Sequence, residues 1–183
     1  RDTVVFPGTV MSLQVGRDRS KRVVDEAAPG HQMIGIVSQT DPEIETPGAD
    51  EILPVGTIGM IMRVFKLPDG NQAIVVHGLA RFRVRNVLQI EPIIRATVEL
   101  LDETSADDKQ MEALVHTVRQ TAHDIIAKSD EIPGEAEIAL NNIEQPGPLA
   151  DFLAANFVTE FQERQQLLEQ TDVSERLHAI QRA

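Results

Sequence analysis

Apolar and polar positions change period about halfway along the chain. Up to residue 103 they alternate or cluster in short runs, and beyond it they recur every three to four residues. The densest pattern is LPVGTIGMIMRVFKLPDGNQAIVVHGLARFRVRNV, Leu53 to Val87. It reads as three β-strands with one tight turn. Ile58 to Phe65 is rich in β-formers. In Leu67-Pro68-Asp69-Gly70 the proline presets φ and the glycine accepts a left-handed position. Ala73 to Val76 is the returning strand of a hairpin. After Gly78, Arg81, Arg83 and Arg85 alternate with Phe82 and Val84, which places the arginines on one face.

Around this segment, Val4 to Phe6, Met11 to Val15, Met33 to Ser38 and Ile93 to Leu101 read as further strands. In the last of them Ile94, Ala96, Val98 and Leu100 share one face. Arg17 to Ala28 reads as a helix with Val23, Val24 and Ala27 as its apolar stripe. Thr40 to Glu51 is acidic, holds two prolines and has no period, so it is expected to be a solvated surface loop. Six or seven strands and one helix in about 100 residues imply a bent antiparallel sheet or pseudo-barrel, a closure that leaves few open edges.

Beyond residue 103 the pattern is helical. Met111, Leu114, Val115, Val118, Ala122, Ile125 and Ile126 predict a long amphipathic helix over 106–128, opened by Ser105-x-x-Asp108. Pro133-Gly134 breaks it, and Glu135 to Asn142 forms a short helix. Pro148 stands at the first position of the next helix, with Leu149, Phe152, Leu153 and Phe157 as its core face. Thr159-x-x-Gln162 and Asp172-x-x-Glu175 read as caps of two more. The expected organisation is α+β: a β-rich lobe over 1–103 and a helical lobe over 104–183, cut within its last helix.

Composition changes the picture in three ways. Of 183 residues 42% are hydrophobic and only 3% aromatic, all phenylalanine, so the cores are aliphatic. The formal net charge of -12 argues against nucleic acid as the main partner. Most of it lies beyond residue 103, where 6 Lys/Arg face 15 Asp/Glu, against 11 and 14 before. The absence of cysteine excludes disulfides, thiolate metal sites and a thiol nucleophile. No apolar run is long enough for a membrane span, no signal peptide is visible, and a cytoplasmic location is expected. The chain opens on Arg1 and stops in helical pattern at Ala183, so a fragment of a longer protein is expected.

No GxxxxGK[ST], GxSxG or HExxH occurs. No catalytic, cofactor-binding or metal-binding residue is assigned. His31, His77, His116, His123 and His178 are scattered. His116 and His123 share a helix face, either as two solvated residues or as part of an incomplete metal shell, and a small hydrolase built on them lacks a paired acid and base. The stripe of Arg81, Arg83 and Arg85 is either the solvent face of a strand or a phosphate- or RNA-binding strip. The run holding Met60 and Met62 is either buried on both faces or presents one face to a partner, a use that suits adaptable methionine. Met60, Met62, Phe65 and Leu67 are the candidate capture residues.

The opening RDTVVFPGTVMSLQVGRDRS, Gly35-Ile36-Val37, LPVGTIGMIMRVFKLPDG and HGLARFRV, with Gly78-Leu79 and Arg81, together resemble the N-terminal domain of Lon, the ATP-dependent protease. The resemblance is specific over 1–103 and one of layout beyond. It implies a bent β-lobe similar to the PUA-like pseudo-barrels, joined to a helical lobe. It implies a non-catalytic role, the capture of unfolded or damaged polypeptides and help in assembly. It also implies a parent with an AAA+ ATPase using ATP and Mg²⁺, a Ser-Lys serine protease and a homohexameric ring, all outside this chain. A stand-alone PUA-like RNA-binding module is the other reading.

Overall fold

The computed structural model describes residues 3–30, 33–128 and 134–183. The chain divides into two compact units, Arg1–Leu101 and Asp102–Ala183. The first is an antiparallel sheet with one α-helix and the second is all helical, as the change of period implies.

Five strands form the sheet: β1 (Val10–Val15), β2 (Met33–Ile36), β3 (Val55–Lys66), β4 (Gln72–Gln89) and β5 (Arg95–Leu100). The order is β1-β4-β3-β2, all neighbours antiparallel, with β5 also on β4. Phe82 and Arg83 pair with β3 and with β5 at once, so β5 lies along the same edge of β4 as β1.

The hairpin turn forms as expected. Gly70 N–H donates to Leu67 O at 3.1 Å and Leu67 N–H to Asn71 O at 2.8 Å, with Gly70 at φ +80°. Asn71 N–H donates to Asp69 Oδ1 at 3.0 Å, and this bond is the main cause that lowers the Asp69 pKa.

Two strand expectations are corrected. Val4 to Phe6 forms no strand, although all three side chains are buried. Side-chain hydroxyls hold this segment in place of a ladder: Thr57 Oγ1 donates to Val5 O at 2.6 Å and Ser38 Oγ to Thr3 O at 3.0 Å. The two strands expected either side of Gly78 are one strand of 18 residues. Gly78 does not end it. A register shift there leaves Leu79 as an extra residue, a bulge that bends the strand without breaking it. Gly78 is required for another reason, since a Cβ would run into the Phe6 carbonyl oxygen.

One face of the sheet packs on α1 (Asp18–Ala27). Val15, Ile61, Ile74 and Val76 meet Val24 and Ala27 there, with Met11, Leu13, Ile34, Ile36 and Val64 at the margin. The acidic loop after β2 is tied down by arginines near the start of α1. Arg17 donates to Gln39 Oε1 at 2.5 Å and to Ile44 O at 2.6 Å, and Arg19 to Pro47 O at 3.1 Å.

The helical unit holds α2 (Lys109–Ile126), α3 (Gly134–Asn142), α4 (Pro146–Phe157), α5 (Phe161–Glu169) and α6 (Val173–Arg182). Its core joins Met111, Leu114, Val118, Ala122 and Ile126 of α2 to Leu140, Leu149, Leu153, Val173 and Leu177. Three helix starts differ from expectation. Asp108 itself caps α2, accepting from Gln110 N and Met111 N. Pro146, not Pro148, takes the first position of α4 because the helix starts two residues earlier. Glu160, not Thr159, precedes α5, with no side-chain cap. Asp172 does cap α6, accepting from Glu175 N at 3.0 Å. The expected break at Pro133 lies outside the described residues.

Arg176 is fully buried between two carboxylates, 2.5 Å from Asp151 Oδ1 and 2.8 Å from Glu103 Oε1. Together with the backbone bonds Thr104 N–H to Thr171 O and Val173 N–H to Thr104 O, this fastens residues 103–104 to the helices.

Candidate functional site

The feature in need of explanation is the other face of the sheet. An antiparallel sheet with one buried face ordinarily alternates to polar residues on the other. Here the register places Val10 of β1, His77 of β4, Met60 of β3 and Met33 of β2 opposite one another in one row. Strand partners point the same way, so the four side chains form a line about 14 Å long at the usual strand spacing. Val10 is 58% exposed and Met33 63%, while Met60 and His77 are half-buried between them.

The apolar surface continues along β3. Phe65 pairs with Ala73 on this same face and is 46% exposed. Met62 is the extra residue of a second bulge, between the pairs Ile61–Val76 and Arg63–Val75, and is 49% exposed. Ile58 and Val75 fill the positions between, both half-buried. The polar exceptions are His77 within the row, and Ser12, Gln14 and Arg63 beside it. The β3 run therefore does two things. From Val55 to Ile61 it is largely enclosed, and from Met62 to Lys66 it opens to solvent on one face.

Of the four candidate residues, Met62 and Phe65 are exposed, Met60 is half-buried within the row, and Leu67 is half-buried at the turn. Val10 and Met33 were not singled out from the sequence. Val10 falls just before the expected strand Met11 to Val15 and Met33 opens the expected strand Met33 to Ser38, and only the pairing of β1 and β2 onto the central strands sets them beside Met60.

The arginine stripe does not form. Arg81 is 2% exposed, on the core side opposite Thr57, because β3 pairs with it there and Thr57 is itself buried under Val5. Arg83 and Arg85 are exposed, and Arg85 is paired with Glu99. The apolar face of the last strand is only partly covered, with Val98 and Leu100 both exposed.

Among the described residues no three His, Cys, Asp or Glu side chains gather as a metal shell. His116 is exposed, and His123 Nδ1 lies 3.8 Å from Glu137. His178 is exposed and His31 lies outside the described residues. No helix among the described residues is long and apolar enough to cross a membrane.

The profile of the ATP-dependent protease La (LON) substrate-binding domain matches residues 1–183. The Lon protease of Cytophaga hutchinsonii is 39% identical over 178 residues, 96% of this chain and 22% of that protein. Lon protease 2 of Myxococcus xanthus is 36% identical over 181 residues, 98% of this chain and again 22% of the relative. The chain thus spans under a quarter of the length of the relatives it matches. Among solved structures, the N-terminal domain of a Mycobacterium avium complex Lon protease superposes with a TM-score of 0.79 at 25% identity, covering 98% of this chain and 91% of that one. The N-terminal domain protein of Lon from Xanthomonas campestris, at 19% identity and a TM-score of 0.66, has the same fold. A bent antiparallel sheet joined to a helical unit, with sequence kinship along its whole length, places this chain in the Lon substrate-binding domain family.

Proposed function

We propose that this chain is the polypeptide-capture part of a Lon-type ATP-dependent protease, and that the outer sheet face is its capture surface. The carrying observation is the row Val10–His77–Met60–Met33 with Met62 and Phe65 beside it, an apolar face left open to water. Contiguous apolar surface of this kind marks a binding site. Its chemistry fits a client defined by exposed apolar side chains and not by shape. Methionine is unbranched and polarisable, so it adapts to leucine, valine or phenylalanine alike. A row of about 14 Å matches some four residues of extended chain. Leu67 extends the surface toward the turn.

The parent protein, in this reading, supplies hydrolysis from segments outside the chain, with ATP and Mg²⁺ bound there, and assembles as a hexamer in the cytoplasm. This chain has no phosphate-binding loop and contributes recognition and assembly contacts. The test is binding of the 183-residue chain to reduced, carboxymethylated lactalbumin and to native lactalbumin. Binding to the unfolded form alone is expected. Equal affinity for both forms overturns the reading.

A further inference from the structure

The outer sheet face carries three of the chain's five methionines, and two of them, Met33 and Met62, are exposed, whereas Met60 and Met11 are half-buried and Met111 is buried. Met60 lies directly across from Met33. Met111 is buried in the helical core, and Met11 packs against the core side of the sheet. The chain has no cysteine, tryptophan or tyrosine, so no thiol, indole or phenol competes for a two-electron oxidant.

We infer that Met33 and Met62 are a redox modification site that switches the capture face off. The inference rests on the capture reading above and adds its regulation. The oxidant is a hydroperoxide. A lone pair of the thioether sulfur attacks the terminal peroxide oxygen, the O–O bond breaks, and an S–O bond forms. Water or the alcohol leaves after proton transfer. Sulfur is oxidised by two electrons and the peroxide reduced by two. The product sulfoxide is polar and chiral, and it is restored by methionine sulfoxide reductases.

Position gives this chemistry a consequence. At an exposed sheet position a sulfoxide meets water and leaves the fold standing, whereas at Met111 it would disrupt a core. A client that covers Met33 or Met62 must instead strip water from the sulfoxide oxygen, with no donor guaranteed in return. The oxidised face therefore rejects the apolar segments that the reduced face accepts.

The experiment treats the 183-residue chain with limiting hydrogen peroxide, maps sulfoxides by peptide mass spectrometry, and measures binding of carboxymethylated lactalbumin before and after. Sulfoxide is expected first at Met33 and Met62, then at the half-buried Met60 and Met11, and last at Met111. Affinity is expected to fall about tenfold, with circular dichroism unchanged and recovery on adding the reductases. In the Met33→Leu/Met62→Leu chain the ratio of affinities before and after peroxide should fall close to one, whatever the starting affinity. Oxidation of Met111 as fast as Met33 overturns the inference. So does an undiminished affinity once Met33 and Met62 are oxidised, or the same loss in the leucine variant. Failure of the untreated chain to bind the unfolded probe overturns the capture reading itself, and is seen before any peroxide is added.

Discussion

Met33→Ser separates a capture surface from a fold-supporting one. Burying a methionine side chain completely stabilises by about 1.5–3 kcal/mol. Met33 is 63% exposed in the free chain, so roughly three-fifths of that remains for a client to gain. The variant should thus lose about 1–2 kcal/mol of binding, or roughly 5–30-fold in affinity. The same exposure means that the fold has little to lose, and stability should change by no more than about 0.5 kcal/mol. Ile61 is the contrast. It sits two residues from Arg63 on β3 but faces the core at 3% exposure, so Ile61→Ala should cost about 2–5 kcal/mol of stability. The assays are fluorescence anisotropy with labelled carboxymethylated lactalbumin and urea unfolding of the same preparations. A Met33→Ser chain that melts like Ile61→Ala, or one that keeps full stability and full affinity, refutes the reasoning.

In the helical unit, Arg176→Met removes the buried guanidinium that Asp151 and Glu103 both accept from and should destabilise by about 3–5 kcal/mol. Urea unfolding checks this, and a variant as stable as the parent chain counts against it. Gly78→Ala must push the Phe6 carbonyl away and should cost about 1–3 kcal/mol in a thermal melt, against near neutrality if Phe6 moves freely. Asp69 accepts the Asn71 N–H and has a lowered pKa in the folded chain. Its contribution to the turn is therefore present above the pKa of the unfolded chain and is lost as pH falls through the folded one. An NMR titration of the Asp69 carboxyl should show a midpoint below that of free aspartate, and a midpoint at or above it would remove the turn's claim on the charge.

Local chemistry was readable and long-range pairing was not. The turn at Pro68–Gly70, the α2 stripe apart from the exposed Ile125, and the Asp172 cap each depend on residues within a few positions of one another, and each formed in place. The expected break at Gly78 failed because the need for glycine there arises from Phe6, some seventy positions upstream. Arg81 was assigned to a solvent face by alternation within its own strand. Its burial depends on Thr57 and Val5, which no local period reports. The apolar outer face was legible at Met60, Met62 and Phe65, since they belong to one apolar run. Val10 and Met33 join it only through the register of β1 and β2.

An apolar sheet face open to water invites pairing between copies as readily as it invites a client, and the layout of the strands bears on which prevails. Unpaired backbone at a sheet edge is the usual route to self-association. Here the two longest strands, β3 and β4, are interior to the β1-β4-β3-β2 order, and the ends of that order are strands of six and four residues. Register shifts interrupt the pairing of β3 and β4 at four places, which adds local twist and works against flat stacking. The net charge of -12 opposes close approach of two copies at low ionic strength. Among the described residues β2 pairs with β3 only from Thr57 to Met60, so Met62 and Phe65 lie on β3 beyond that pairing. Recognition through side-chain contact alone, without a required backbone register, is what a receptor for unrelated unfolded sequences needs. Methionine suits such contact, because its unbranched, polarisable side chain adapts to unlike apolar partners.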